Sequence, residues 1–245
     1  MIAVVTSGKG GVGKSTVCLG LAGALAKMGQ RVLVIDTDAG LRSLDILFGL
    51  SDNTVYDLSD IFAGRCTPQE AIVASPTCEN VFVIAAPPST DAIPAPADMQ
   101  YLCRGLAEHY DTVLIDCPAG IGRGFQSAVA AADRAIIVAT PDAVCARDAY
   151  IASSKLDRIG VSYKMIINRL RPRAVMKGKM PDIDEIMDVA QVPLLGVVPE
   201  DEAVTIATAN GRPLDKKSYA AECFERIAAR FCGTPAPLGR LDKMV

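Results

Sequence analysis

The segment 6–16 constrains this chain more than any other, because it contains a complete phosphate-binding loop. Gly8, Gly13, Lys14 and Ser15 have the spacing Gly-x-x-x-x-Gly-Lys-Ser, which is the Walker A pattern. A β-branched apolar run precedes the loop and an amphipathic stretch follows it, which is the strand–loop–helix context that the pattern requires. The sequence therefore predicts a site for a nucleoside triphosphate.

The chemistry of this loop follows from its residue types. Glycines let successive backbone N–H groups turn toward the phosphates, and the N-terminus of the following helix adds a positive partial charge. We expect Lys14 to neutralise the β- and γ-phosphates and the Ser15 hydroxyl to ligate Mg²⁺. The residues expected to bind ATP or ADP through this loop are Gly8, Gly10, Gly11, Val12, Gly13, Lys14, Ser15 and Thr16.

The rest of the chain alternates short β-branched runs with amphipathic stretches of helical length. Strands are predicted at 2–6, 31–36, 80–85, 112–116, 135–140, 163–168 and 194–198, and helices near 14–28, 97–109, 122–132, 142–158, 182–190, 200–210 and 215–232. The proline-dense segment 87–96 predicts a loop. The alternation predicts an α/β fold with a three-layer, doubly wound, mostly parallel sheet. We expect one domain over 1–233 and a short tail over 234–245.

Composition excludes several classes of protein. No uncharged apolar run approaches the roughly 18 residues of a membrane-spanning helix, and the first residues lack a basic leader, so we expect a cytoplasmic location. A net charge of −3 gives no global attraction to nucleic acid, which is not an expected partner. The eight cysteines include no Cys-x-x-Cys pair, so we expect reduced structural thiols.

Three aspartates follow predicted strands at the edge where open α/β sheets bind ligands. Asp36 and Asp38 are two residues apart and project to the same side. One can belong to the magnesium shell while the other orients a water toward the γ-phosphate, since phosphoryl transfer needs mainly positioning and charge neutralisation. Asp116 ends an apolar run of the Walker B form and is expected to hold Mg²⁺, through water.

Base recognition is predicted at the end of the strand 163–168. Asn168 ends this strand and Arg169 follows it, so we expect them at the carboxyl edge of the sheet, where a purine would bind. The guanine-selecting Asn-Lys-x-Asp pattern is absent, because residues 168–171 are Asn-Arg-Leu-Arg. We therefore expect ATP to be preferred over GTP.

A second lysine, Lys9, lies inside the loop in the form Lys-Gly-Gly-x-Gly-Lys, which resembles the deviant Walker A loop of the MinD/ParA ATPase superfamily. In that superfamily this lysine contacts the ATP of the other subunit across a nucleotide-sandwich dimer. The resemblance therefore implies an ATP-dependent homodimer, with Lys9 and Lys14 in catalytic roles. It also assigns Asp38 to the attacking water and Asp36 to the metal side.

The segment 116–122, Asp-Cys-Pro-Ala-Gly-Ile-Gly, matches the second switch of the superfamily. The same resemblance implies that adenine contacts Asn168 and the turn that contains Pro199 and Asp201. Together with segments 5–16, 36–49 and 196–204, the second switch is most similar to the MinD branch.

MinD proteins are ATPases that position the bacterial division septum. Membership would imply slow, partner-stimulated hydrolysis, a MinC-like partner recruited by the ATP-bound dimer, and a MinE-like partner that stimulates release. A flagellar-number regulator and a ParA-like partitioning ATPase have the same fold and remain alternatives. An iron–sulfur carrier scaffold of the Mrp type is disfavoured by the missing Cys-x-x-Cys pair.

Two further segments leave alternatives open. In the tail, Leu238, Leu241 and Val245 have helical spacing beside basic residues, which predicts either weak peripheral contact with the inner membrane or a frayed soluble end. The basic run 169–179 predicts either a solvated loop or a contact with phosphate, a partner or DNA.

Overall fold

The computed structural model describes residues 1–40, 43–50, 54–89 and 92–239. One sheet of eight strands forms the centre of this part of the chain, in the order β3-β4-β2-β5-β1-β6-β7-β8. The strands are β1 (Ile2–Thr6), β2 (Val32–Asp36), β3 (Ile72–Ala74), β4 (Val81–Ile84), β5 (Thr112–Asp116), β6 (Arg134–Ala139), β7 (Ser162–Leu170) and β8 (Leu194–Pro199).

Every neighbouring pair in the sheet is parallel except β3 and β4. The four central strands β2, β5, β1 and β6 are almost wholly buried, which explains their continuous Val, Ile and Leu content. The predicted doubly wound fold is confirmed. The antiparallel edge strand β3 was missed, because three residues directly after a helix give no readable alternation.

The helices are α1 (Lys14–Lys27), α2 (Ser43–Leu47), α3 (Leu58–Phe62), α4 (Pro68–Ala71), α5 (Pro96–Leu106), α6 (Arg123–Ala130), α7 (Ala143–Ile159), α8 (Pro172–Met176), α9 (Ile183–Ala190), α10 (Glu202–Ala209) and α11 (Tyr219–Phe231). Each predicted helix is present, with shifted ends. The one-turn helices α2, α3, α4 and α8 were missed, because helical periodicity cannot be read over four or five residues.

The proline-dense segment is a loop in its described part, and α5 begins at its last proline, Pro96, in the first helical position. Thr90 and Asp91 of that segment lie outside the described residues. The division into a domain at 1–233 and a tail stays a prediction.

All eight cysteine thiols are free, as expected from the sequence. Within the described ranges, no helix is both long and apolar enough to cross a membrane.

This topology determines where a ligand can bind. β1, β2 and β5 are adjacent and parallel, so the segments that follow Thr6, Asp36 and Asp116 meet at one edge of the sheet. β7 ends at the same edge, so Asn168 is brought toward the phosphate loop. Parallel α/β sheets bind ligands at this carboxyl edge.

Candidate nucleotide site

The phosphate loop leads into helix α1, whose N-terminus has no side-chain cap. Gly13 is the N-cap residue of α1 and has φ +94°, a left-handed conformation that favours glycine. No side chain accepts a hydrogen bond from the first turn of α1, and no acidic residue lies in that turn. By contrast, Asp142, Asp182 and Ser218 cap α7, α9 and α11. The N–H groups of α1 thus remain available to an anion.

Close packing explains the glycine at position 8. A Cβ atom there would lie 2.6 Å from both the Cβ atom and the carbonyl oxygen of Asp148, which belongs to α7. A side chain at Gly8 would therefore push the first half of the loop away from α7. No local pattern indicates Asp148, since this contact joins segments far apart in the chain.

The two lysines of the loop have different environments. Lys14 is buried, with 6% of its surface exposed, and its ammonium opposes the rise that burial causes in the pKa of Asp116 and Asp38. Lys9 is exposed, and its side chain makes no hydrogen bond or ion pair within the described residues. Its backbone carbonyl accepts a hydrogen bond of 2.7 Å from the Ser7 hydroxyl. The loop therefore holds Lys14 inward and leaves the Lys9 side chain exposed, with its charge near Asp142 but without a hydrogen bond or salt bridge to the described residues.

Asp36 and Asp116 form a buried pair of carboxyl groups. They are direct neighbours in the register of β2 and β5, with 0% and 1% of their surfaces exposed. Burial raises the pKa of both groups, and the negative charge of Asp116 raises that of Asp36 further. The pKa of Asp38 is also raised by burial, although Lys14 opposes the shift. A cation bound here would offset the unfavourable negative charge of these carboxylates.

The oxygens of the two buried carboxylates differ in their partners. Asp36 accepts hydrogen bonds from the backbone N–H groups of Asp38, at 2.9 Å, and Leu44, at 3.3 Å. Asp36 thus orders the segment that follows β2. Neither oxygen of Asp116 has a hydrogen-bond donor at normal geometry in the described structure, although the Ser15 hydroxyl and the Cys18 thiol lie close enough to oppose the rise that burial causes in its pKa. Buried oxygens without a donor are costly and point to a group that binds there.

The residues around Asp116 fit a magnesium ion. Its orphan carboxylate oxygens lie near the Ser15 hydroxyl, which lowers the pKa of Asp116, and both are oxygen ligands of the kind Mg²⁺ prefers. No group of three metal-binding side chains occurs among the described residues. Mg²⁺ commonly binds through one or two protein oxygens, with phosphates and waters filling the other positions. The predicted ligands Ser15 and Asp116 are placed together, whereas both oxygens of Asp36 already accept hydrogen bonds.

Hydrogen bonds join the segment after β2 to Asp116, and the segment 116–122 to the phosphate loop. Thr37, between the two aspartates after β2, donates from its hydroxyl to the carbonyl oxygen of Asp116 at 2.7 Å and from its N–H at 3.0 Å. The N–H of Gly120 donates to the carbonyl oxygen of Ser7 at 3.3 Å. Thr37 was missed as a site residue, because nothing in its local sequence indicates this contact.

The residues predicted to bind the base surround one cavity of about 300 Å³. Its lining includes Thr16, Asn168, Arg169, Pro199 and Asp201, and also Glu200, Val204, Thr205 and Thr208. The cavity lies beside α1 at the carboxyl ends of β7 and β8, so a purine here would be continuous with phosphates on the loop.

Asn168 also supports the phosphate loop. It is buried, and its Nδ2 atom donates a hydrogen bond of 2.8 Å to the carbonyl oxygen of Val12. A Cβ atom at Gly13 would overlap the same amide group, so glycine is required there on two grounds. The side chain therefore ties the loop to the end of β7.

Two polar contacts hold the turn at the far side of the cavity. Arg171 donates two hydrogen bonds to the Glu200 carboxylate, one of 2.9 Å from Nη2 and a shorter one from Nε. Asp201 accepts from the N–H of Ala203 at 2.9 Å and from the N–H of Ala220 at 3.0 Å. Asp201 thereby caps α10 and attaches it to the start of α11.

Comparisons with known proteins agree with this geometry. Residues 3–214 match the family model described as the CobQ/CobB/MinD/ParA nucleotide binding domain. The septum site-determining protein MinD of Synechocystis is 43% identical over 96% of this chain and 91% of its own length. The chain belongs to the MinD family.

Solved structures of the MinD family have the same fold. MinD in the MinC:MinD cell division protein complex of Aquifex aeolicus superposes with a TM-score of 0.91 at 35% identity, covering 98% of each chain. MinD of Pyrococcus horikoshii, complexed with Mg-ADP, superposes with a TM-score of 0.85 at 30% identity, covering 94% of this chain and 95% of that one. The family resemblance seen in the motifs is confirmed.

Some of the predicted features cannot be placed. Leu41 and Arg42, in the segment most typical of MinD, lie outside the described residues, and so do residues 240–245 of the tail. Leu238 is described and is partly exposed. The individual roles assigned to the site residues stay predictions.

Proposed function

We propose that this chain is a MinD-type ATPase of division-site selection that hydrolyses Mg-ATP to ADP and phosphate. One observation carries the proposal: the buried carboxylate of Asp116 lies beside Lys14 and Ser15, at the uncapped N-terminus of α1. This arrangement combines a negative site for a cation with a positive site for phosphates. Its donors and acceptors are complementary to a magnesium nucleotide.

Different residues contact the phosphates, the attacking water and the metal. The N–H groups of the loop and the first turn of α1 bind the phosphates, and Lys14 offsets their charge in a buried setting where electrostatic interactions are strong. Asp38 is half-buried near Lys14 and has a raised pKa, which suits it to accept a hydrogen bond from the attacking water. When bound, magnesium would neutralise charge on the phosphate oxygens, held by Ser15 and, through water, Asp116.

Adenine fits the cavity at the ends of β7 and β8. Thr16 of α1 lines this cavity, so a nucleotide with phosphates on the loop reaches it directly. Asn168, Arg169, Pro199 and Asp201 are the proposed base-contacting residues. Their predicted consequence is a preference for ATP over GTP.

We assign Lys9 to a contact in trans. The side chain is exposed and forms no hydrogen bond or salt bridge with the described residues, although it lies in a loop whose other lysine is buried. An exposed cation beside a phosphate site can bind the ATP of a second copy. This supports an ATP-dependent homodimer as the active form, with hydrolysis limited by assembly.

The partners follow from family membership. MinD of Aquifex aeolicus was solved in a complex with MinC, and we propose a MinC-like partner for this chain. A MinE-like protein that stimulates turnover, and peripheral contact with the inner membrane through the tail, complete the proposed cycle. Pulldown of a MinC-like partner with Mg-ATP would separate this role from those of flagellar-number regulators and ParA-like ATPases.

Lys9→Ala tests the proposal. The variant should bind Mg-ATP with nearly unchanged affinity but remain monomeric in light scattering and lose most ATP turnover. Lys217→Ala, at an exposed lysine of the loop before α11, is the matched control and should dimerise and turn over normally. Normal turnover in Lys9→Ala would contradict the assignment in trans.

A further inference from the structure

A second polar cavity lies at the opposite edge of the sheet, where β6 and β7 begin. Its volume is about 320 Å³, which is sufficient for a small ligand. Three basic side chains line it, those of Arg134, Lys164 and Arg230, and no acidic side chain is among the described residues of its lining. A cavity with this charge attracts anions.

The strand register places the basic residues on one face. Arg134 of β6 lies opposite Ser162 of β7, and Ile136 lies opposite Lys164. Side chains two residues apart on a strand share a face, so Arg134 and Lys164 project together. α11 covers this face, since Arg134 Nη1 donates a hydrogen bond of 3.1 Å to the carbonyl oxygen of Phe231. Asn168, at the base cavity, lies toward the other end of β7, so the two cavities are separate.

These cations lack the partners that other basic residues of the chain have. Arg104 pairs with Asp133 and Arg226 with Glu222, whereas Arg134, Lys164 and Arg230 form no ion pair in the described part of the chain. The adjacent carboxylates have other partners. Asp133 accepts from Arg104 and from the N–H of Ile2.

Helix capping explains only part of the cluster. Arg134 bonds the last turn of α11, where a cation is favourable. Arg230 donates from Nη2 to the carbonyl oxygen of Leu194 at 3.4 Å. Each guanidinium is thereby oriented and retains further N–H donors. Lys164 is exposed, and no hydrogen bond to another described residue explains its place beside two arginines.

We propose that this cavity is a second anion site, distinct from the ATP site, that binds a phosphate group. Two arginines held by backbone carbonyls and one free lysine supply a fork-shaped donor set of the kind that recognises phosphate oxygens. The Ser162 hydroxyl also lines the cavity and donates to the carbonyl oxygen of Asp133 at 3.5 Å. The phosphate can be free in solution or belong to an acidic lipid headgroup.

The test uses the full-length chain saturated with Mg-ADP, so that the phosphate loop is occupied. The first arm measures thermal unfolding against inorganic phosphate, with chloride keeping the ionic strength constant. The second arm measures sedimentation with vesicles of phosphatidylglycerol in phosphatidylcholine. Each arm compares the wild type, Lys164→Gln and the control Lys217→Gln. Lys164 is exposed and its side chain forms no hydrogen bond or ion pair with the described residues, so we expect its variant to have an unchanged midpoint without phosphate.

If free phosphate is the ligand, it should raise the unfolding midpoint of the wild type and the control, with binding weakened roughly tenfold or more in Lys164→Gln. If a lipid headgroup is the ligand, Lys164→Gln should lose vesicle binding that the control retains. The proposal is overturned if Lys164→Gln behaves like Lys217→Gln in both arms, or if the wild type responds to neither probe.

Discussion

The nucleotide site has a phosphate end, formed by residues 8–15 with Asp36 and Asp116, and a base end, formed by the cavity beside Asn168 and residues 199–201. The polar groups of the two ends are satisfied in different ways. At the phosphate end, among the described residues, both oxygens of Asp116 are buried without a donor at normal geometry, α1 has no side-chain cap, and the exposed Lys9 forms no salt bridge. At the base end, the polar groups are satisfied by the protein itself. Asp201 accepts two backbone hydrogen bonds, and the Glu200 carboxylate is paired with Arg171.

This difference separates what the chain provides from what the ligand must complete. The base cavity is held open by contacts that exist without a nucleotide. The phosphate end carries an electrostatic cost that a magnesium nucleotide can relieve. Removing a buried carboxylate charge at the phosphate end should therefore lower activity and raise stability, whereas substitutions at the base end should lower both or affect neither strongly.

Asp116→Asn should have the largest effect. Loss of the carboxylate should lower ATP turnover by at least about 100-fold, because a metal-holding charge is removed. The nucleotide-free variant should be more stable than the wild type in urea unfolding, because a desolvated acid is replaced by a neutral amide of the same shape. Asp188→Asn, at an exposed position of α9, should change neither quantity. A less stable Asp116→Asn protein would break the comparison.

Gly8→Ala should disturb the phosphate end through packing. The new Cβ atom would lie 2.6 Å from Asp148, so the loop or α7 must move, which should lower the free energy of unfolding by about 1–3 kcal/mol. ATP affinity measured by calorimetry should fall with it. At Gly10 a Cβ atom would meet its nearest neighbour at 3.7 Å, so Gly10→Ala should leave stability nearly unchanged. Equal stabilities of the two variants would contradict the packing argument.

Asp201→Ala examines the base end. Two helix N-termini lose an acceptor, so chemical denaturation should show a loss of about 2 kcal/mol in the free energy of unfolding, together with weaker ATP binding. Asp182→Ala removes the cap of α9 alone and should cost about 1 kcal/mol without affecting ATP. Unchanged ATP affinity in Asp201→Ala would mean that the turn does not shape the base cavity.

Arg171→Ala should have the smallest effect. The Arg171–Glu200 pair is largely solvent-exposed, so its removal should change the Michaelis constant for ATP by no more than about threefold. The effect should shrink at high salt. A loss of tenfold or more in steady-state kinetics would show that the arginine contacts the nucleotide directly.

The same contrast explains how much the sequence could predict. The phosphate end was readable because Gly8 to Ser15 and the strand ending at Asp116 carry their chemistry in local spacing. The fold followed from continuous apolar runs such as β1 and β5. The base end was read from Asn168 and a family resemblance. The bonds that hold it, such as Asp201 to Ala220, join residues 19 positions apart and leave no local pattern.

Thr37 and Asp148 show the same limit at the phosphate end. The Thr37 hydroxyl donates a hydrogen bond to the carbonyl oxygen of Asp116, 79 positions away. Asp148 packs against the loop at Gly8, where only the absence of a Cβ atom leaves room for it. Packing between distant segments determines such contacts. They become visible only once the fold is known.

The chain leaves the phosphate end incomplete until a magnesium nucleotide binds. The pKa of Asp36 is raised to about 8 and that of Asp116 to about 7, from 3.8 for an ordinary aspartate. Between pH 4 and pH 8 the folded state therefore keeps protons that the unfolded chain has released. Stability must fall across this window as pH rises, by at most about 1.4 kcal/mol per pH unit for each retained proton.

Urea unfolding between pH 5 and pH 9, with and without Mg-ADP, tests this claim most directly. Without ligand, the free energy of unfolding should decrease with rising pH up to about pH 8 and then level off. With saturating Mg-ADP the decrease should vanish or reverse, because the bound cation favours the ionised carboxylates. Equal pH dependence in the two conditions would contradict the account.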